Sequence, residues 1–279
     1  MNILTFDIEE WFHCDFYTKD LNQCKHEVRI FKNMDFILQS LSKSNKKATF
    51  FILGWIAEKY PEIVKNILNE GHEIGCHSMQ HDLVYRMTPP EFRADTKMAL
   101  NRIEQISGEK IVLYRAPAFS ITNETPWAFE ILLECGITHD ASVFPGRRDF
   151  GGFPELGISK PVLLEINGQL LKEFPMSLMN IGLAKLAFSG GGYFRLLPYD
   201  LIRILVSNSD YVMTYFHPRD FDKDQPILEH LSKLRKFKSY YGLSNAGSKF
   251  EKLLFDFDTQ TLLNASNKID WLSANKIIL

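Results

Sequence analysis

The sequence predicts an α/β protein built on a parallel sheet or barrel, and three observations support this fold class. Short β-like runs alternate along the chain with amphipathic helix-like runs, which is the pattern of repeated βαβ units. The chain has 279 residues, enough for one large α/β domain or for two ordinary domains. Its hydrophobic fraction of 45% and charged fraction of 24% are close to globular averages.

The first half of the chain shows the clearest alternation. Pro61 favours a helix start, because proline is tolerated at the first helical position, and Gly71 favours the end of that helix. In chain order, the predicted elements are the strand Asn2–Ile8, the helix Ile30–Leu41, the strand Ala48–Leu53, the helix from Pro61, the strand His72–Cys76, a helix over about Pro90–Ile106, the strand Lys110–Tyr114, the helix Glu124–Cys135 and the strand Gly136–Ala141.

The second half is less regular. Predicted strands cover Val162–Ile166, Glu173–Met176 and Tyr211–Phe216, and predicted helices cover Tyr199–Val206, Leu228–Lys236 and Ser248–Phe255. Gly190–Gly192 is predicted to be a flexible turn. No repeat or low-complexity linker is visible, so we expect a barrel over residues 1–225 and a helical carboxyl-terminal extension over 226–279 that packs on it.

Charge and composition exclude some functional classes. The formal net charge of −2 does not favour nucleic-acid binding, which usually needs a clustered basic surface. No apolar run approaches the roughly 18 residues of a membrane span. The chain starts without the basic segment and apolar stretch of a secretory signal, so a cytoplasmic location is expected. Cys14, Cys24, Cys76 and Cys135 form no Cys-x-x-Cys pair and are expected to be reduced thiols.

Two histidines follow the strand His72–Cys76. His77 and His81 are four residues apart, so on one face of a helical turn both imidazoles can reach one metal ion. By itself this spacing is a weak signal and is more often that of two ordinary surface or core histidines. Its place at a strand end, where α/β proteins build their sites, favours the metal.

Two acids end the first strand. In an extended backbone Asp7 and Glu9 point to the same side while Ile8 points away. Two carboxylates aimed at one pocket can divide the chemistry, one binding a metal and the other accepting a proton. The alternative is that these acids only solvate a strand end, but an acid within an apolar run, as Asp7 is, needs a partner.

Three further polar residues lie at strand ends. Arg115 can hold a carboxylate in a bidentate fork, although a surface arginine is an equal alternative. Asp140 could orient Arg115 or a histidine. His217 is placed to act as a general acid, because the pKa of histidine lies near neutrality. Together with Asp7 and the histidine pair, these residues place polar groups at five strand ends, which coincidence does not readily explain.

The motifs that contain these residues resemble those of the polysaccharide deacetylases, the NodB-homology group of carbohydrate esterases (family 4). Thr5-Phe6-Asp7 is similar to the opening motif, whose first Asp is the catalytic base. The motif His77-Ser78-x-x-His81 matches the metal-binding motif fully. Arg115-Ala116-Pro117-x-Phe119, Asp140 and Tyr215-Phe216-His217 resemble the arginine motif, its paired acid and the motif of the catalytic acid. The resemblance runs from Thr5 to about Pro218.

One motif departs from the usual pattern, because Ile8 occupies the position of the metal-binding Asp. This resembles a subgroup that reads D-[IV]-[DE] and is linked to exopolysaccharide or glycan biosynthesis. The resemblance implies that Glu9 binds the metal, with Glu10 as the alternative. The same subgroup includes metal-free hydrolases of cyclic ureides such as allantoin, but both histidines are retained here, which favours metal.

The resemblance implies a distorted (β/α)7 barrel and a metal-dependent deacetylase that acts on an N-acetylated amino sugar in a glycan or a glycan precursor. Zn²⁺ suits two imidazoles and a carboxylate, and Co, Ni or Fe are alternatives. The implied catalytic residues are Asp7, Arg115, Asp140 and His217, with an oxyanion donor expected at the backbone N–H of Tyr114 or Arg115. Trp11, Phe119, Tyr193 and Arg195 are candidate substrate contacts, for which core packing is an equal alternative. The rival functions are a metal-free cyclic-amide hydrolase and a non-catalytic glycan-binding protein. The sequence predicts no oligomeric state.

Overall fold

A mostly parallel sheet carries the polar strand ends. The computed structural model describes residues 1–13, 26–181 and 184–279, so Cys14 and Cys24 lie outside the described residues. Cys76 and Cys135 are free thiols, as expected. The strands are β1 Asn2–Ile3, β2 Thr5–Ile8, β3 Thr49–Ile52, β4 Glu73–Cys76, β5 Leu113–Tyr114, β6 His139–Asp140, β7 Val162–Ile166, β8 Gln169–Glu173, β9 Met179–Ile181, β10 Ala184–Leu186, β11 Val212–Met213 and β12 Lys276–Ile278.

Helices follow most of the parallel strands. They are α1 Ile30–Lys43, α2 Gly54–Lys59, α3 Pro61–Asn69, α4 Pro89–Ser107, α5 Trp127–Glu134, α6 Gly191–Leu196, α7 Tyr199–Ser207, α8 Lys233–Tyr240, α9 Leu243–Asp256 and α10 Leu262–Ser266. The ends of α4 have clear sequence causes. Thr88 and Glu91 form a capping box before its first turn, and Gly108 ends it in the left-handed conformation at φ 73°.

The sheet order explains why distant strand ends meet. Strands β2 to β6 lie side by side and parallel, and β8 continues the sheet parallel to β6. On the other side, β1 pairs in parallel with β11, and Phe6 bridges to Phe216. The carboxyl ends of these strands therefore face one end of the sheet. The predicted α/β architecture with a parallel central sheet is confirmed.

The core forms on both faces of this sheet. All residues of β2 and β3 are buried, as expected for strands covered on both sides. Phe6 stacks on Phe50 with ring centroids 4.9 Å apart, and Phe250 of α9 meets the Phe6 ring edge-on. The aromatic side chains thus join the first strands to the carboxyl-terminal helices.

Several predicted boundaries differ from the structure. The predicted strand Tyr211–Phe216 contains only the short β11, and the predicted strand Glu173–Met176 is displaced to β8, which pairs antiparallel with β7. Gly168 at φ 77° turns the chain between β7 and β8, a hairpin that the apolar pattern did not distinguish from two parallel strands.

The carboxyl-terminal residues contact the barrel at several places. Strand β12 pairs in parallel with β7, and Glu73 of β4 accepts hydrogen bonds from the backbone N–H groups of Leu262 and Leu263 at the start of α10. These contacts support a carboxyl-terminal region packed on the barrel, while the division at residue 225 stays a prediction. Among the described helices, none combines the length and the apolar character needed to cross a membrane.

Candidate metal centre and active site

A cavity opens at the carboxyl ends of the parallel strands. It has a volume of about 530 Å³. The polar residues at its base include Asp7, Glu9, His77, His81 and His217. Polar side chains from separate strand ends of the sequence therefore converge on one cavity, as parallel strands allow.

Three of these side chains can hold a metal ion. One ligand atom from each of Glu9, His77 and His81 lies within 4.8 Å of the other two, and all three residues are buried. Glu9 Oε2 is 2.8 Å from His81 Nε2, yet it accepts no hydrogen bond of regular geometry from any residue that the structure describes. A carboxylate oxygen and an imidazole nitrogen facing each other in this way is what a shared cation would require.

The two histidines meet by a route that differs from the predicted one. The segment His77–His81 forms a loop rather than a helical turn, and Ser78 and His81 have left-handed φ angles of 71° and 63°. The Ser78 hydroxyl accepts a hydrogen bond from the N–H of His81 at 3.0 Å, which stabilises the loop. The imidazole centroids are 5.3 Å apart. The convergence was predicted, but the helical geometry was wrong.

The protonation of His77 suits a metal ligand. Its Nδ1 lies 2.8 Å from the carbonyl oxygen of Arg115, and because a carbonyl only accepts, Nδ1 carries the proton and Nε2 keeps its lone pair. Burial lowers the pKa of His77 to about 4, so the ring is neutral at physiological pH. Burial opposes ionisation of Glu9, but the adjacent His81 outweighs it and lowers the pKa of Glu9. The donor set fits a divalent ion that accepts nitrogen and oxygen ligands.

Glu10, the alternative ligand, has another role. Its carboxylate accepts hydrogen bonds from the backbone N–H groups of Arg29 and Ile30, at 2.9 and 3.0 Å, and from that of Trp11 at 3.3 Å. It therefore holds the start of α1 against the end of β2, and it does not line the cavity described here. Alternation along the extended backbone explains why Glu9 and not Glu10 points to the histidines.

Asp7 is paired with Arg115. The guanidinium Nη1 donates to Asp7 Oδ1 at 2.7 Å and to the Thr5 hydroxyl at 2.7 Å, and Arg115 is fully buried. Burial would raise the pKa of Asp7, but the charge of Arg115 lowers it below its ordinary value. The other carboxylate oxygen, Oδ2, lies 3.8 Å from Nε2 of His217. Asp7 is thus an ionised carboxylate with one oxygen directed toward the cavity.

The predicted ion pair between Arg115 and Asp140 is wrong. No described contact joins them: Asp140 Oδ1 accepts from the Ser142 hydroxyl at 2.6 Å, and Ser142 in turn accepts from the N–H of Ala116. Asp140 thereby supports the backbone after Arg115 rather than its guanidinium. Burial, together with the neighbouring Asp140, raises the pKa of Glu173 well above its ordinary value and so favours its protonated form. Glu173 was not predicted from the sequence, where the only signal was an acid ending an apolar strand.

Asp220 is a second residue that the sequence analysis did not assign. Its Oδ2 lies 3.0 Å from His217 Nδ1, and its Oδ1 lies 3.1 Å from Arg195 Nε. Burial alone would lower the pKa of His217, but the hydrogen bond and charge of Asp220, with Glu9 and Asp7, raise it. His217 is thereby oriented with Nε2 toward Asp7. The available signal was an acid three residues after the histidine, within one tight turn.

The glycines before Tyr193 permit close packing and do not form a flexible turn. Helix α6 begins at Gly191, and Gly190 bridges to Tyr215 in β fashion. A β-carbon on Gly190 would lie 1.8 Å from Cε1 of Tyr215, and one on Gly191 would lie 2.0 Å from Oδ2 of Asp220. The absence of side chains here allows α6 to approach the turn that carries His217.

The candidate substrate contacts divide into two groups. Phe119 and Tyr193 line the cavity. Arg195 also borders it, but is committed to Asp220 and to backbone carbonyls of Lys238 and Ser239. Trp11 is buried, its indole N–H donates to the carbonyl of Glu27, and it is not among the described lining residues, so the core alternative holds for it.

The predicted oxyanion donor at Arg115 is wrong, because that N–H donates to the carbonyl of Cys76 within the sheet. The alternative donor, the N–H of Tyr114, stays a prediction.

Two family models match the chain. Residues 30–138 match the polysaccharide deacetylase family, and residues 141–266 match a domain of unknown function, DUF3473. The second match crosses the boundary predicted at residue 225. The resemblance expected from the motifs is therefore confirmed, and the amino-terminal match includes His77, His81 and Arg115.

Curated relatives are similar over a shorter part of the chain. A peptidoglycan-N-acetylglucosamine deacetylase of Bacillus cereus is 39% identical over 95 residues, which is 34% of this chain and 34% of that protein. The peptidoglycan-N-acetylmuramic acid deacetylase PdaC of Bacillus subtilis is 40% identical over 88 residues, which is 32% of this chain and 19% of that protein. The matched region thus spans about a third or less of these relatives.

Solved structures extend the likeness to the whole fold. A protein from Mycobacterium smegmatis assigned to the polysaccharide deacetylases aligns with a TM-score of 0.67 at 17% identity, over 100% of this chain and 92% of its own. A carbohydrate esterase family 4 pseudoenzyme from Bacillus anthracis aligns with a TM-score of 0.52 at 14% identity, over 95% of this chain and 64% of its own. The fold is the deacetylase-type barrel, as the motifs implied.

Proposed function

We propose that this chain, whose residues 30–138 match the polysaccharide deacetylases, is a metal-dependent hydrolase that removes the acetyl group from an N-acetylated amino sugar. The observation that carries the proposal is the convergence of Glu9, His77 and His81 within 4.8 Å, beside Asp7 and at the base of a cavity. A binding protein has no need of a metal-ligand set next to an ionised acid and an oriented histidine.

Glu9, His77 and His81 would hold the ion. Zn²⁺ suits this ligand set, and cobalt, nickel or iron accept the same donors. When bound, such an ion activates water and polarises an amide carbonyl. The hydrogen bond from His77 Nδ1 to Arg115 fixes the ring so that its other nitrogen faces Glu9 and His81, which is the second-layer support that metal histidines commonly have.

Asp7 and His217 divide the proton transfers. The Oδ1 atom of Asp7 is engaged by Arg115, so Oδ2 is the oxygen that accepts the proton of the attacking water. His217 Nδ1 donates to the carboxylate of Asp220, and the raised pKa of the ring favours the form that carries a second proton at Nε2, on the cavity side. An amine leaves an amide only when it is protonated, and His217 is the residue placed to supply that proton.

The named relatives support the sugar as substrate, because both act on N-acetylated sugars of peptidoglycan. We propose a glycan or a glycan precursor of that chemistry for this chain. Tyr193 and Phe119 line the cavity, and aromatic side chains are common in sugar sites. The cytoplasmic location expected from the sequence stays a prediction.

The test is acetate release from a panel of N-acetylated oligosaccharides, with metal-stripped protein to which Zn²⁺, Co²⁺, Ni²⁺ or Fe²⁺ is added back. We expect acetate release with added metal and none after chelation. Activity that survives chelation on a cyclic ureide would establish the metal-free hydrolase instead. Saturable sugar binding without acetate release under any metal would establish the non-catalytic glycan-binding protein.

A further inference from the structure

The cavity has a charge that differs in sign from that of the chain. The chain has a formal net charge of −2. The cavity, with its histidines counted as neutral, is lined by six cationic side chains, Arg147, Arg148, Arg195, Arg219, Arg235 and Lys238, and by four acids, Asp7, Glu9, Asp149 and Asp220. Three of these acids already have cationic partners: Asp7 pairs with Arg115, Asp220 with Arg195, and Asp149 with both Arg235 and Lys238.

Arg148 is the unusual member of this set. Its guanidinium lies over the rings of Phe119 and Phe144, each centroid 4.9 Å from Cζ, and 5.4 Å from the centroid of Tyr215. Its Nη1 atom is buried and has no hydrogen-bond partner among the residues described, and no carboxylate of the described chain pairs with it. A guanidinium that lines the cavity without a carboxylate partner is costly to desolvate, so an anion bound beside it in the cavity would stabilise it.

The backbone around Arg148 is fixed. The N–H of Arg148 donates to the carbonyl of Gly151, and the N–H of Gly152 donates to the carbonyl of Phe119 at 2.9 Å. Gly152 has φ +103°, and a β-carbon there would lie 2.2 Å from the carbonyl oxygen of Gly146, so the loop requires glycine. The guanidinium is therefore held on a tight loop, which lowers the entropic cost of binding a ligand.

The aromatic rings connect Arg148 to the reacting groups. The Tyr215 ring contacts the guanidinium of Arg148 and also packs edge-on against the imidazole of His217, with centroids 5.9 Å apart. Phe119 is likewise shared, since Cζ of Arg115 lies 5.6 Å from its centroid. An acidic group on Arg148 would thus belong to the same sugar, or to the neighbouring one, as the acetamido group beside His217.

We propose that Arg148 forms an anion subsite, and that the substrate is an acetamido sugar with a carboxylate or phosphate close to the acetamido group. This inference rests on the proposed function for the identity of the sugar, but not for the anion site itself. The planar guanidinium offers two parallel N–H donors to a carboxylate or phosphate, and the three rings exclude water from the contact. Neutral acetamido sugars lack the group that would pair with this guanidinium and bind less tightly.

Three sugars that share the acetamido group test the proposal: N-acetylglucosamine, which is neutral, N-acetylmuramic acid, which carries a carboxylate, and N-acetylglucosamine 1-phosphate. Each is titrated calorimetrically into the wild-type protein, Arg148→Met and Arg148→Lys under identical metal loading. We expect Arg148→Met to weaken binding of a charged sugar by about tenfold or more, and to change binding of the neutral sugar less than about twofold. Arg148→Lys keeps the charge and the stem but loses the planar fork, so an intermediate loss is expected.

Arg203→Met is the matched control, because Arg203 is exposed on α7 and lies outside the cavity lining, and its replacement removes the same charge. It should leave all three affinities unchanged. If Arg148→Met loses affinity only for N-acetylmuramic acid, the bound anion is a carboxylate. If it loses affinity only for N-acetylglucosamine 1-phosphate, the bound anion is a phosphate. Equal binding of charged sugars by wild type and Arg148→Met, or equal losses with Arg203→Met, would overturn the subsite.

The binding readout is independent of turnover, so a chain that releases no acetate could still show the anion site. Conversely, a chain that releases acetate but binds charged and neutral sugars alike would keep its proposed function and lose the subsite. Near-ultraviolet circular dichroism of each variant shows whether the aromatic surroundings of Arg148 are intact, and Arg148→Lys serves as the test if Arg148→Met does not fold.

Discussion

Arg115 and Asp7 form a buried ion pair at 2.7 Å, although 108 positions separate them in the chain. The guanidinium also lies 4.3 Å from the ring centroid of Phe51, so one arginine joins three adjacent regions of the barrel beneath the site. The pair keeps Asp7 ionised and engages only one of its oxygens. The acid is therefore held in place and remains able to accept a proton.

We expect Asp7→Asn to abolish acetate release while metal content stays unchanged. The change also leaves Arg115 buried without an anion, which should lower the free energy of unfolding by about 3 kcal/mol. Metal analysis, activity and thermal unfolding are measured together. Asp200→Asn, on the exposed first turn of α7, is the control and should alter none of the three. An active Asp7→Asn variant would assign the base to another residue.

Substitutions of the two neighbouring glutamates, Glu9 and Glu10, should have different effects on metal affinity and on thermal stability. Glu9→Gln removes a metal ligand and should weaken Zn²⁺ binding by at least about a hundredfold. Glu10→Gln keeps the ligand set intact but weakens the hydrogen bonds to the backbone at Arg29 and Ile30, so it should lower thermal stability and leave metal affinity nearly unchanged. Isothermal titration with Zn²⁺ decides between them. The reverse pattern would make Glu10 the ligand.

Asp220→Asn should reduce kcat without loss of metal. The variant keeps the size of the side chain but removes the negative charge that orients His217 and neutralises Arg195. A loss of about 10- to 100-fold in kcat is expected, which is typical for a residue that positions another. KM and metal content should change little. A loss of bound metal would instead indicate that the turn at His217 had moved the ligands.

Stability should fall with acidification, partly through His139. Burial lowers the pKa of His139 to about 4, while its ring nitrogens bond to Thr138 and to Ser266 of α10. In the unfolded chain His139 binds a proton near pH 6.5, whereas in the folded chain it does so only near pH 4. The stability that depends on the neutral ring is therefore present above about pH 6.5 and is lost as the pH falls from there to about 4. About 1 to 2 kcal/mol should be lost between about pH 7 and pH 5.

To isolate the contribution of His139, the wild-type protein and His139→Gln are unfolded in urea at about pH 7 and at about pH 5. His72, whose pKa burial also lowers to about 4, contributes to the acid sensitivity of both proteins and cancels in the difference. The free energy of unfolding should fall less steeply with decreasing pH in His139→Gln than in the wild-type protein. Identical slopes would show that His139 is not the source.

Glu173→Gln should be nearly neutral for stability. Burial and the adjacent Asp140 raise the pKa of Glu173 and favour its protonated form, so we expect an uncharged amide of the same shape to replace it with a change in the free energy of unfolding below about 1 kcal/mol. Glu173→Ala, by contrast, leaves the N–H of Val143 without its acceptor and opens a cavity, and should cost about 2 kcal/mol or more. Urea unfolding of the two variants measures the difference. A large loss in Glu173→Gln would mean that the charged form is the native one.

The sequence predicted which residues meet at the site better than it predicted the contacts that these residues make with one another. Alternation along β2 was sufficient to place Asp7 and Glu9 on the same side, and strand ends were sufficient to bring them near His77 and His217. Arg115 was predicted to hold a carboxylate, and it holds that of Asp7 through Nη1, but its supposed link to Asp140 was wrong. Asp140 lies at a strand end as expected, yet its short side chain bonds to Ser142, two residues away, before it can reach the arginine.

The sequence by itself determined the alternation of strands and helices in the first half of the chain, the end of the sheet that carries the chemistry and the residue types available there. Those features follow from local periodicity and from the rule that parallel strands end on one side. The tertiary structure decided which side chains meet, Asp220 with His217 and Glu173 with Asp140, and it formed the left-handed loop that brings His77 and His81 to Glu9. The contacts of Glu173 with Asp140 and of Glu9 with the histidines depend on packing between segments far apart in the chain, and the contact of His217 with Asp220 depends on a tight turn whose geometry the residue spacing alone does not fix.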